Sequence, residues 1–170
     1  MKKPSLMVVA VATFAFWISV AAAQQNTTRG AARTMHASGS FEIQMKTQGG
    51  GTDGKTFPRY TSDKQFHGDL EGTSVGEMLA SGPPPSGPQG SGGYVAMERV
   101  TGKLGGRSGS FTLQHSSSMD RGVQQQNITV VPESGTGELE GLQGKMIIRI
   151  EAGGKHFYDF DYTISPAAPK

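Results

Sequence analysis

A chain of 170 residues with 16 basic and 14 acidic side chains, 25 glycines and no cysteine excludes several classes at once. Without cysteine there is no disulfide, no thiol nucleophile and no thiolate metal ligand, so stability has to come from a packed core. Near-balanced charge, with no basic run interleaved with aromatics, gives no reason to expect a nucleic-acid partner.

The chain opens on Lys2-Lys3, an apolar run from Leu6 to Val20, and Ala21-Ala22-Ala23. A basic start, a short apolar run and small residues before a cut describe a secretory signal peptide over residues 1–23. The run is shorter than the roughly 20 residues a bilayer span needs, so stable membrane insertion after cleavage is not expected. An exported destination follows, periplasmic or secreted. Removing the two lysines brings basic and acidic residues into balance. Residues 24–33 are polar and small and read as a flexible leader. Asn26-Thr27-Thr28 and Asn127-Ile128-Thr129 match the glycosylation pattern, which has meaning only in a eukaryotic host.

A first strand is expected from Thr34 to Lys46, where Phe41, Ile43 and Met45 alternate, and the glycines at 49–51 break it. A second is expected from about Tyr60 to Leu70 and a third from Thr73 to Ala80. Residues 82–93 are rich in proline and glycine, can neither hold a ladder nor bury a face, and read as a mobile loop.

The central hairpin runs from Tyr94 to His115 around Gly105-Gly106, a pair suited to the positive φ angles of a two-residue turn. That turn sets Leu104 against Arg107, Gly102 against Gly109, Val100 against Phe111, Glu98 against Leu113 and Ala96 against His115. Paired residues must share a face, and this register passes: Ala96, Val100, Leu104, Phe111 and Leu113 fall together, while Arg99, Thr101 and Lys103 face out with Ser108, Ser110 and Thr112.

A sixth strand is expected over Gln124–Val131, stopped by Pro132. The closing hairpin comprises Gly144–Glu151 and Lys155–Ile164. A three-residue loop, Ala152-Gly153-Gly154, pairs Ile150 with His156, Ile148 with Tyr158 and Met146 with Phe160. A two-residue loop would put the aliphatic and aromatic residues on opposite faces, so the longer loop is preferred. Gly-x-Leu-x-Gly recurs from Gly68, Gly102 and Gly137, and each leucine is expected to plug an end of the structure. No helical period of useful length follows the signal. Eight strands with short turns, each with one apolar face, predict an all-β fold: a single eight-stranded antiparallel meander barrel over residues 34–164, with a tail at 165–170.

Three passages resemble a bacterial family of unknown function, domain-of-unknown-function family 3224. They are Phe66 to Gly72, Glu98 to His115, and Val130 to Leu142. The resemblance extends from about Thr34 to Ile164. It implies a barrel of the allene-oxide-cyclase-like or calycin-like shape and brings no established activity. The leader and the Pro/Gly-rich loop depart from the pattern.

The candidate site residues lie on the inward face. Glu98 and His115 are diagonal neighbours across the central hairpin. A carboxylate can orient an imidazole and raise its pKa, giving an acid–base pair. A buried carboxylate also demands a partner on stability grounds alone, so a structural pair is the first reading. Arg107 shares the face beside the turn. Phe111, Leu113, His156, Tyr158 and Tyr162 line it with Tyr94, Val100, Ile128, Met146, Ile148 and Phe160. His67, Asp69 and Glu71 alternate on what should be the outer face, and no metal site or cofactor is assigned. Ser134-Gly135-Thr136-Gly137-Glu138 lacks a strand–turn–helix context and reads as a turn.

These residues suggest a barrel that binds a small apolar or amphipathic molecule, with Glu98, His115 and His156 orienting the guest. An isomerase or cyclase using Glu98 and His115 is the alternative. A packed structural or partner-binding barrel is the third reading, with a homodimer formed through Phe157 and Ile147 on the outer face.

Overall fold

The computed structural model describes residues 33–51, 55–82 and 90–165. The expected signal peptide, most of the leader, the greater part of the Pro/Gly-rich loop and the C-terminal tail beyond Ser165 lie outside them. Eight antiparallel strands follow in chain order: β1 (Met35–Gly49), β2 (Arg59–Gly68), β3 (Leu70–Ser81), β4 (Gly92–Leu104), β5 (Arg107–Asp120), β6 (Val123–Val130), β7 (Leu142–Ile150) and β8 (His156–Ile164). Each pairs with the next, and β8 returns to β1 from Met35↔Tyr162 to Phe41↔His156, so the sheet closes into a barrel. One 3₁₀ turn, Gly137–Leu139, interrupts the β6–β7 connection.

The central hairpin has the expected register, from Leu104↔Arg107 through Glu98↔Leu113 to Ala96↔His115. Its turn glycines take φ of 55° and 83°, the left-handed region that makes a two-residue loop compatible with strand twist. The closing hairpin pairs Ile150 with His156, Ile148 with Tyr158 and Met146 with Phe160, again as the hydrophobic pattern requires.

Some boundaries differ from the sequence reading. Leu70 opens β3 rather than ending β2, because the chain reverses at Gly68 (φ 105°) and Asp69, whose amide bonds the Ser38 carbonyl at 3.1 Å. Gly92 and Gly93 belong to β4, paired with Met119 and Ser118, so only residues 83–89 of the expected loop remain undescribed. β1 continues past Lys46 to Gly49, with a bulge after Thr47 that absorbs the first of the glycines.

The barrel is filled unevenly. At the end bearing the turns after β2 and β4, Leu70, Leu104 and Leu139 are all fully buried, so each Gly-x-Leu-x-Gly leucine does plug that end. Leu142, Phe66, Phe111, Tyr158 and Phe160 pack around them, with Phe111 stacked on Phe160 at 5.9 Å and Phe66 edge-on to Tyr158 at 5.7 Å. The Tyr158 hydroxyl accepts a 2.8 Å bond from the Leu70 amide, giving that buried N–H a partner. Gly39 makes room for this tyrosine, since a Cβ there would collide with the His67 carbonyl and the Tyr158 hydroxyl. Toward the other end the inward positions become steadily more exposed, reaching 49% at Met45 and 61% at Ile150. One half of the interior is therefore packed solid, and the other opens to solvent.

Candidate functional site

Where packed and open halves meet, four consecutive strands each contribute one inward polar side chain. They are Lys64 from β2, Ser74 from β3, Glu98 from β4 and His115 from β5. Period-2 alternation puts all four on the inner wall. Lys64 pairs with Ser74, and Glu98 pairs with Gly76, so the lysine reaches the carboxylate diagonally across β3.

Lys64 Nζ donates to Glu98 Oε2 at 2.6 Å and Ser74 Oγ donates to Oε1 at 2.5 Å. His115 Nε2 stands 2.9 Å from the same Oε2, so the lysine and the histidine share one carboxylate oxygen. The ammonium also lies 4.7 Å from the Phe41 ring centre and 5.7 Å from that of Phe66, where ring quadrupoles favour a cation. Residue exposures of 8% for Lys64, 3% for Glu98 and 4% for His115 make this a desolvated cluster.

Burial alone would raise the Glu98 carboxyl above its ordinary range. The His115 ring and the Lys64 ammonium outweigh burial and hold it down at about 2. Glu98 is therefore ionised near neutrality, with both oxygens engaged. Such a carboxylate is a weak base, suited to fixing neighbours in place rather than to abstracting a proton. Just above it, burial pushes the Tyr94 phenol up and the Glu98 charge adds to this, against a hydrogen bond with Ser117.

The wall beside the cluster has a thin place. The β6–β7 ladder consists of Ile128↔Met146 and Thr129↔Lys145. Toward the open end the Gln126 carboxamide takes over, donating to the Ile148 carbonyl at 2.7 Å and accepting from its amide at 2.9 Å. On the opposite side, where β1 outruns β8, a groove of about 540 Å³ is lined by Phe41, Ile43 and His156 together with Ser40, Glu42 and Lys155.

The sequence-predicted residues separate accordingly. Glu98 and His115 come together. Phe111, Leu113, Tyr158 and Tyr162 are buried in the packed half, and the Tyr158 hydroxyl is already committed to Leu70. Arg107 is exposed at the closed end, away from the cluster, and His156 sits at the groove with its ring 5.0 Å from Phe41. On the outer face His67 meets Glu42 at 2.8 Å, and Asp69 accepts the Ser38 amide. Residues 134–138 cross the closed end as a turn, Ser134 donating to the Val131 carbonyl and Thr136 accepting the Ser110 amide. Lys64 and Ser74 were missed. The signal for Lys64 was its parity with Phe66, together with the partner that a buried Glu98 demanded.

Comparisons with known proteins agree with this architecture. The family described as "Protein of unknown function (DUF3224)" matches residues 37–162. A crystal structure of a DUF3224-family protein of unknown function from Shewanella oneidensis MR-1 is similar, with 43% sequence identity and a TM-score of 0.71 over 79% of this chain and 100% of that one. A search of the curated proteins finds no match. With the matched region spanning β1 to β8, this barrel belongs to the DUF3224 family.

Proposed function

We propose that the protein is an exported barrel that binds one small amphipathic molecule in the open half of its interior. The guest's polar end meets the Lys64–Glu98–His115 cluster. Its apolar part runs along Ile43, Met78, Ala96 and Ile148, beside the groove at Phe41 and His156. The observation that carries this reading is the buried Lys64–Glu98–His115 cluster, a desolvated polar group at the base of an interior that opens to solvent. A few convergent polar groups at the base of an otherwise apolar opening are the usual make-up of a small-molecule site. Eight-stranded barrels have room for one small guest where side chains do not fill them. Export rests on the N-terminal basic and apolar run.

A binding role is favoured over acid–base isomerisation because the Glu98 oxygens are occupied by Lys64 and Ser74 and its carboxyl is held at about 2. The test is thermal-shift and native mass-spectrometric titration with fatty acids, fatty alcohols and aromatic acids. A one-to-one complex that stabilises the protein, and that His115→Leu weakens at least tenfold, is the expected result. No complex and no shift with any of them would remove the binding reading.

A further inference from the structure

The outer wall carries a second feature that the interior site does not use. On β3 and β4, Val75, Leu79, Val95 and Met97 point outward and are each between 42% and 60% exposed. The register makes them one patch: Leu79 pairs with Val95, and Glu77 pairs with Met97 and precedes Leu79 on the same face. Arg59 borders the patch beside Leu79, and Arg99 borders it beside Val75. Contiguous exposed apolar surface on a sheet face is a usual mark of a contact site.

We propose that this face is the contact between two copies of the chain in a two-fold dimer. The argument is charge complementarity within the patch itself. Among the described residues Glu77, Arg59 and Arg99 make no ion pair, although other outer charges such as Lys46 and Asp63 do. In an isologous contact the same patch meets itself, so a carboxylate on one side of the axis faces whatever lies on the other side. An axis passing between Glu77 and Arg99 sets each Glu77 against Arg99 of the second copy and brings the Met97 and Val75 side chains of the two copies over the axis. An unrelated partner would have to supply both charges in the right places, whereas a second copy already carries them. The four apolar residues alone fall short of the roughly 800 Å² per partner of a stable interface, so the polar rows of β2 and β5 complete it and the dimer is reversible.

The absence of cysteine makes the test clean. Sedimentation of the full-length protein over a range of concentrations is expected to show a monomer–dimer equilibrium. Glu77→Arg or Arg99→Glu alone should weaken it at least tenfold, and the double reversal should return it to within about threefold. Independently, Met97→Cys should give a disulfide-linked dimer under mild oxidation, while Ile147→Cys, on the wall formed by β7, should not. A monomer at every concentration would overturn the proposal. So would a dimer indifferent to the reversals, cross-linking through Ile147→Cys instead, or a monomer that uses the patch to take up phospholipid vesicles.

Discussion

Lys64 and Glu98 lie 34 positions apart in the chain and 2.6 Å apart in the barrel, joined across strand β3, which lies between their own strands. An ion pair this deeply desolvated attracts strongly and is costly to leave half-made. Removing one partner strands the other charge, and the loss then far exceeds the net worth of the pair.

Lys64→Met is accordingly expected to destabilise the protein by about 3–5 kcal/mol, because Glu98 is left buried without its cation. The double variant Lys64→Met/Glu98→Leu should regain a good part of that loss, since no lone charge remains. Urea unfolding of the three proteins checks this, and a double variant weaker than Lys64→Met would contradict it.

The same carboxylate sets an acid dependence. Its unfolded value is 4.5 and its folded value about 2, so its contribution is fully present above pH 4.5 and is lost as the pH falls toward 2. The shift corresponds to roughly 3 kcal/mol at most. The stability gap between the parent and Glu98→Gln is expected to be constant near neutrality and to narrow below pH 4.5. Unfolding free energies at a series of acid pH values read this directly.

Tyr158→Phe deletes the acceptor for the buried Leu70 amide without altering the ring packing. A cost of about 1–3 kcal/mol is expected, the price of a buried N–H left without a partner. Hydrogen exchange should show the Leu70 amide losing protection more than its neighbours in β3.

Gln126→Leu removes the carboxamide that bridges β6 to the Ile148 backbone. Faster exchange is expected at the Ile148 amide, with Ile128 and Thr129 little changed because their ladder to β7 is intact. An unaltered Ile148 amide would mean that the barrel wall there does not depend on this side chain.

The parts of this structure that could be read in advance are those fixed by local rules. Gly105-Gly106 allows one tight turn, and face-sharing then leaves a single register down to Ala96↔His115. The closing hairpin yielded to the same test, because only one loop length puts Met146 and Ile148 with Tyr158 and Phe160. Leu70 was assigned to the wrong strand because Gly68 suits a strand interior and a reversal equally well. The site was half legible. Glu98 and His115 are joined by a predictable hairpin, whereas Lys64 comes from a strand whose alternation is blurred, and a lysine in line with Phe66 looks like a break in the pattern. The Gln126 bridge had no local signal, since it depends on β6 and β7 diverging. The division into packed and open halves depends on how far all eight strands extend past one another, which no single strand specifies.

The join between β1 and β8 has a consequence for how the chain reaches this form. Met35 is paired with Tyr162, so the cylinder cannot shut until the last of its strands has been synthesised. A contact spanning nearly the whole domain costs more loop entropy than any hairpin and forms late, which places this chain among slow, high-contact-order folders. Until then both outermost strands are bare edges. The same adjacency makes the two ends of the barrel sequence near neighbours, so a version relinked from Ile164 to Met35 and opened at another turn would keep every ladder of the cylinder while moving the late closure to a different pair of strands.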